Sequence, residues 1–110
     1  AFAQNKLGLM YDNGEGVPKD FKEAAKWYRK AAEQGFAFAQ WNLGGMYYFG
    51  KGVPQDYVTA YAWWDIAQAN GGADAKKGKD IIAREMTADQ IAEGQKLSRE
   101  MLKKNPKLLK

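Results

Sequence analysis

The chain repeats itself. Residues 1–36 laid over residues 37–72 agree at 17 of 36 positions, where chance gives about two or three. Ala1-Phe2-Ala3-Gln4 returns as Ala37-Phe38-Ala39-Gln40, and Leu7-Gly8 returns as Leu43-Gly44. Gly14, Gly16, Val17, Pro18 and Asp20 return as Gly50, Gly52, Val53, Pro54 and Asp56. Ala24, Trp27, Ala31 and Gly35 return as Ala60, Trp63, Ala67 and Gly71. A unit this short cannot enclose a core of its own. It hides its apolar face only against its neighbours, which restricts the chain to a stacked array.

Each unit reads as two helices. The first runs from Ala3 to about Tyr11, with Ala3, Leu7 and Met10 or Tyr11 at helical spacing. Gly8 inside it costs about 1 kcal/mol in helix propensity, so a neighbouring element must approach closely there. Asn13-Gly14 stops the helix, and Gly14-Glu15-Gly16-Val17-Pro18 is the turn. Asp20 is the next N-cap, with Glu23 placed for a reciprocal capping box. The second helix carries Ala24, Trp27, Tyr28, Ala31 and Ala32 on one face and closes at Gly35. In the second unit Asp56 caps, but Thr59 replaces the box carboxylate, so a weaker cap is expected.

After Gly71-Gly72 the pattern decays. Ala73 to about Glu85 reads as a helix anchored by Ile81 and Ile82, with Lys79 and Asp80 where Leu43 and Gly44 stood. Thr87 and Gln90 form a capping box for a last helix whose stripe is Ile91, Gly94, Leu97 or Ser98, Met101 and Leu102. Asn105-Pro106 ends it. The expectation is an all-α solenoid of about three helix pairs: units at 1–36 and 37–72, a degenerate capping pair at 73–104, and a basic tail at 105–110. A more polar last pair suits the open end of such an array.

Composition narrows the chemistry. There is no Cys and no His, which removes disulfides, thiolate metal sites, a Cys nucleophile and the commonest general base. Ser98 is the single serine and has no histidine to activate it. The acids fall at caps or on helix faces, so no catalytic constellation emerges, and neither an enzyme nor a cofactor is expected. The net charge of +4 is concentrated in residues 76–110, where 10 basic side chains face 5 acidic ones. Glu85, Asp89, Glu93 and Glu100 break up that block, which argues against nucleic acid and for a solvated helix face. With 27% charged residues and no long apolar run, no membrane insertion is expected. The expectation is a soluble protein whose compartment is open, since lack of Cys suits a reducing cytosol and equally a periplasmic or secreted protein that needs no disulfides. Ala1-Phe2-Ala3 is repeat sequence rather than the remnant of a cleaved signal.

Leu-Gly-x-x-Tyr, Gly-x-Gly-Val-Pro-x-Asp, Ala-x-x-Trp and Ala-x-x-x-Gly at a 36-residue spacing resemble Sel1-like repeats, relatives of the tetratricopeptide repeat. The resemblance is strong over residues 1–72. It implies an α–α superhelix and a role in assembling protein complexes. In the tetratricopeptide relatives the first helix of each pair lines a concave face, so positions that differ between units on that helix are the candidate binding residues. These are Asn5, Leu9, Asp12 and Asn13, then Trp41, Gly45, Tyr48 and Phe49, then Lys77, Ile81, Arg84 and Glu85. Asn5, Asn42 and Lys77 are further candidates for holding a peptide backbone or carboxylate by hydrogen bonds. The middle of such a face is aromatic, with Gly45 leaving a dip beside Trp41 and Tyr48, and aromatic residues are enriched in binding hot spots. Trp27, Trp63, Tyr28 and Trp64 are read instead as packing between helices. The leading expectation is a protein or peptide partner. Two others stand beside it: a structural or self-associating segment of a longer array, with Phe2 and Met10 at an open end, and a small-molecule site for a peptidoglycan fragment or nucleotide.

Overall fold

The computed structural model describes residues 1–110. It contains α1 (Phe2–Asn13), α2 (Phe21–Glu33), α3 (Ala37–Phe49), α4 (Tyr57–Ala69), α5 (Ala73–Glu85), α6 (Ala88–Lys104) and a short 3-10 turn, Pro106–Leu108. There are no strands. The helices stack into three pairs, a solenoid of 42 × 27 × 23 Å.

The repeated turn works the same way twice. Gly14 and Gly50 end their helices in the left-handed conformation at φ 70° and 71°. The Asp20 N–H then donates to the Tyr11 carbonyl and the Asp56 N–H to the Tyr47 carbonyl, each at 2.9 Å, which returns the chain antiparallel. Asp20 accepts from the N–H groups of Lys22 and Glu23, but the Glu23 carboxylate does not reach back, so the expected capping box is half formed. Thr59 is a fuller substitute than its sequence suggests. Asp56 accepts from its backbone N–H at 3.1 Å and from its hydroxyl at 2.7 Å. Thr87 and Gln90 make the complete box.

Pairs interlock through glycines. A Cβ on Gly8 would overlap the ring of Tyr28, and one on Gly44 would overlap the indole of Trp64. The same device recurs beyond the repeats, where Gly78 meets Trp41 and Trp64, and Gly94 meets Tyr61. α4 is buried over most of its circumference because it is the central helix. Trp63 and Ile66 join Tyr28, Leu43 and Met46 in one cluster, while Tyr61 and Trp64 join Ala75, Ile82 and Met86 in the other. Trp63 is fully packed, whereas Trp27, its counterpart, is half-buried beneath the ammonium groups of Lys26 and Lys30 at 5.9 and 4.4 Å.

The third pair departs from the first two. α5 and α6 both rest on α4, and α6 packs on α4 rather than on α5. Asp65 explains how the decayed sequence holds. Its carboxylate accepts from Lys79 Nζ on α5 and Ser98 Oγ on α6, at 2.9 and 2.7 Å. Lys79, standing where Leu43 stood, thus keeps the interhelical contact by changing its chemistry. Ile82 is fully buried, but Ile81 is 51% exposed and anchors nothing in the core.

Residues 105–110, read as a basic tail, fold back across the base of the stack. The Asn105 side chain donates to the Glu33 carbonyl at 3.0 Å, and Leu108 is 3% exposed within the first cluster. The six residues that charge counting assigns to solvent therefore carry a leucine into the core.

Two adjacent glycines provide the test of the interlock. Gly44→Ala drives a methyl group into an indole that is itself buried, and should cost about 1–3 kcal/mol. Gly45 has nothing within 4 Å of its Cβ direction, so Gly45→Ala should stabilise by about 0.5–1 kcal/mol through helix propensity alone. Urea denaturation of the two single variants checks both signs.

Candidate functional site

The second cluster is not closed on the side of the first helices. Between α1, α3 and α5 lies a cavity of about 360 Å³. Its floor is an aromatic stack. The Trp41 and Trp64 rings lie 5.0 Å apart and 29° from parallel, and the Trp64 Nε1–H donates to the Trp41 carbonyl at 2.9 Å. Trp64 comes from α4 and can reach this position only because Gly44 lets its indole cross α3. Gly78 brings α5 down onto the edges of the same two rings.

Tyr48 and Phe49 form one wall. Tyr48 stacks on Tyr57 at 5.3 Å and meets Phe49 edge-on at 4.8 Å. Its hydroxyl donates to Glu85 Oε1 at 2.6 Å, bridging the ends of α3 and α5. That hydrogen bond to a carboxylate, then desolvation, then the charge of Glu85 push the Tyr48 phenol up to about 12. Hydrogen bonding to Glu85 raises Tyr57 as well. Phe49 is 65% exposed, and the Lys51 ammonium lies 5.6 Å from its ring centroid. The opposite rim is polar. Asp12 Oδ2 accepts from Tyr28 Oη at 3.0 Å, which fixes the carboxylate at the edge of the cavity. Tyr28 is fully buried, and this burial, with the charge and hydrogen bond of Asp12, raises its phenol well above the usual range.

Of the residues singled out in the sequence, Asp12, Trp41, Asn42, Gly45, Tyr48, Phe49 and Ile81 line this cavity together. The other candidates lie elsewhere. Asn5 is 8% exposed, and its Oδ1 accepts from Asn42 Nδ2 at 3.2 Å, so it ties α1 to α3 instead of facing the opening. Leu9 on α1 is 39% exposed, Lys77 and Arg84 are exposed on α5, and none of the three is part of the lining. Met46, Lys51, Trp64 and Gly78 line the cavity without having been singled out. Lys51 belongs to the turn and Trp64 to the second helix, outside the first-helix positions at which the units differ. Gly78 did carry a signal, as a glycine in mid-helix outside the repeat.

Comparison with known proteins agrees with this architecture. A family model described as Sel1 repeat matches residues 1–36 and 37–71. The chain belongs to the Sel1 repeat family. Sel1 repeat proteins are commonly protein-interaction modules, and the fold is generally a non-enzymatic scaffold. Among solved structures, c5321, a protective antigen of uropathogenic Escherichia coli strains displaying an SLR fold, superposes with a TM-score of 0.90 at 42% identity. That match covers 96% of this chain and 23% of c5321. A Sel1 repeat protein from Oxalobacter formigenes superposes with a TM-score of 0.70 at 44% identity over 72% of this chain and 59% of its own. The chain thus spans only part of either neighbour. No curated protein matches. No helix is long and apolar enough to cross a membrane.

The raised phenols give this Sel1 repeat chain a defined alkaline limit. Tyr48 titrates at 10.0 when unperturbed and at about 12 in the fold, so between these values the folded state holds a proton that the unfolded state has lost. Its contribution is complete below pH 10.0 and disappears as pH rises through about 12. Tyr28 acts in the same direction. Stability from urea denaturation should fall across that window, and Tyr48→Phe should flatten the fall.

Proposed function

We propose that the groove between α1, α3 and α5 binds a peptide or protein partner non-catalytically, admitting an apolar side chain of the partner beside Gly45. One observation carries this reading. The cavity has a built aromatic floor and wall, yet the space over Gly45 is empty, as a receiving pocket requires. The volume of about 360 Å³ lies within the usual range for ligand pockets, roughly 300–1,000 Å³. Asp12, Asn42 and Lys51 on the rim supply the hydrogen-bonding groups that fix a partner's orientation.

Trp41 is a poor probe of this surface, because it also stacks on Trp64 and supports Gly78; truncating it should cost about 3 kcal/mol of stability. Gly45→Leu and Phe49→Ala are better ones. The first extends into the dip from a position whose Cβ meets nothing within 4 Å, and the second removes a side chain that is 65% exposed. With a peptide selected from a displayed library against the unaltered chain, each variant should bind at least about tenfold more weakly, near 1.4 kcal/mol, at an unchanged or higher melting temperature. Equal affinity in both would refute the groove.

A second surface supports the array reading as well. Ala39, Gln40, Leu43 and Met46 are buried against the preceding pair at 0%, 0%, 0% and 3% exposure. Their counterparts Ala3, Gln4, Leu7 and Met10 carry the same residue types and are open or half-open. Phe2 does not mark an open face. Its exposure of 72% is matched by 68% at Phe38, so it belongs to the position and not to an open end. The α1 face fits another helix pair of the same kind. Leu43→Ala should cost about 2–4 kcal/mol and Leu7→Ala about 1 kcal/mol. Placing a copy of residues 37–72 ahead of Ala1 should bring the Leu7 penalty up to the Leu43 value in urea denaturation.

A further inference from the structure

The residues after α6 are held in the way a bound peptide is held. Leu108 offers its backbone carbonyl to two side-chain amides at once, Gln40 Nε2 at 2.9 Å and Asn70 Nδ2 at 2.7 Å. Asn70 Oδ1 then accepts from the backbone N–H of Lys110 at 2.9 Å. One asparagine therefore reads a carbonyl and the N–H two residues later, the spacing that an extended segment presents along one edge. The reading amides are themselves fixed. Gln40 is fully buried, its Nε2 also donates to the Ala32 carbonyl at 3.1 Å, and its Oε1 accepts from Asn70 Nδ2 at 2.9 Å.

The cleft around these amides is shaped for the segment. Gly35, at φ +86°, lies so close to the Lys107 carbonyl that a Cβ would collide with it. Gly71, at the corresponding place in the next unit, has nothing within 4 Å. The open approach at Gly35 is thus filled by the segment, whereas the one at Gly71 is empty. The Leu108 side chain enters the first core cluster, against which Phe36, Met101 and Leu102 also pack. Leu109, Lys107 and Lys110 remain exposed, so recognition rests on the backbone and one leucine.

We infer that the cleft formed by Gly35, Gln40 and Asn70 is a second peptide-binding site, separate from the concave groove, that takes a short segment entering through a 3-10 turn and leaving extended after a leucine anchor, and is occupied by residues 105–110 of its own chain. The site reads main chain through a buried amide pair and needs one apolar residue, here Leu108, with Asn105 three residues before it capping α2 at the Glu33 carbonyl. Residues 105–110 act as a ligand carried in cis: bound, they keep out a competing segment and seal the junction of the first two units.

The test uses the full chain with Leu108→Asp, which disables the resident ligand, and a blocked hexapeptide of sequence Asn-Pro-Lys-Leu-Leu-Lys carrying a fluorophore. Fluorescence anisotropy should show the peptide binding Leu108→Asp at least tenfold more tightly than the unaltered chain. Adding Asn70→Ala should weaken that binding at least tenfold. No binding to a folded Leu108→Asp chain, or binding indifferent to Asn70→Ala, would overturn the proposal. Should Leu108→Asp fail to fold, amide hydrogen exchange on the unaltered chain decides. Exchange of the Lys110 N–H at least tenfold faster than that of Leu43 marks a segment that undocks from an intact fold and supports the site. Exchange of both at one global rate marks an integral part of the core and refutes it.

Discussion

The interlock of a glycine on one helix with an aromatic ring on another sets the geometry on which the rest depends. Gly8 with Tyr28 and Gly44 with Trp64 fix the spacing inside the two repeats, and Gly94 with Tyr61 seats α6 on α4. Each glycine weakens its helix, and each is repaid by burial of a large ring that no alanine would permit. The consequence reaches past stability. Because Trp64 crosses α3 over Gly44, an indole from a second helix becomes the floor of a cavity between first helices.

The last pair shows that the architecture survives loss of the motif when another interaction takes over the contact. Lys79 and Ser98 meet at Asp65, so two hydrogen bonds to one carboxylate do what leucine packing does in the second unit. Polar groups at such a junction also specify register more tightly than apolar ones, since each must find its partner. The outer faces of α5 and α6 are then free to be charged, and much of the basic excess of residues 76–110 lies on them.

The two proposed sites, the groove and the base cleft, differ in chemistry on the same scaffold. The groove offers aromatic surface and space, and suits a side chain. The base offers fixed amides, and suits a main chain. Both arise at junctions between units, where neither helix pair alone would supply a complete wall. A stacked array generates such junctions as a by-product of hiding its apolar faces.

The 36-residue period determined the units, their helices, the turns and the capping residues, because these obey local rules: backbone conformation at Gly14 and Gly50, side-chain capping at Asp20, Asp56 and Thr87, and helical spacing of apolar residues. Position-by-position variation on α1, α3 and α5 also reached much of the groove, from Asp12 through Trp41 and Gly45 to Ile81. It did not reach Trp64 or Gly78, and Asn5, which it also offered, is bonded to Asn42. Only the tertiary structure decided those points, along with the Asp65 junction and the docking of residues 105–110 against Gln40 and Asn70. The physical reason is range. Propensity and periodicity act over a turn or two of chain, whereas which ring crosses which glycine, and which carbonyl meets which amide, depends on residues separated by as many as 72 positions, as Glu33 and Asn105 are.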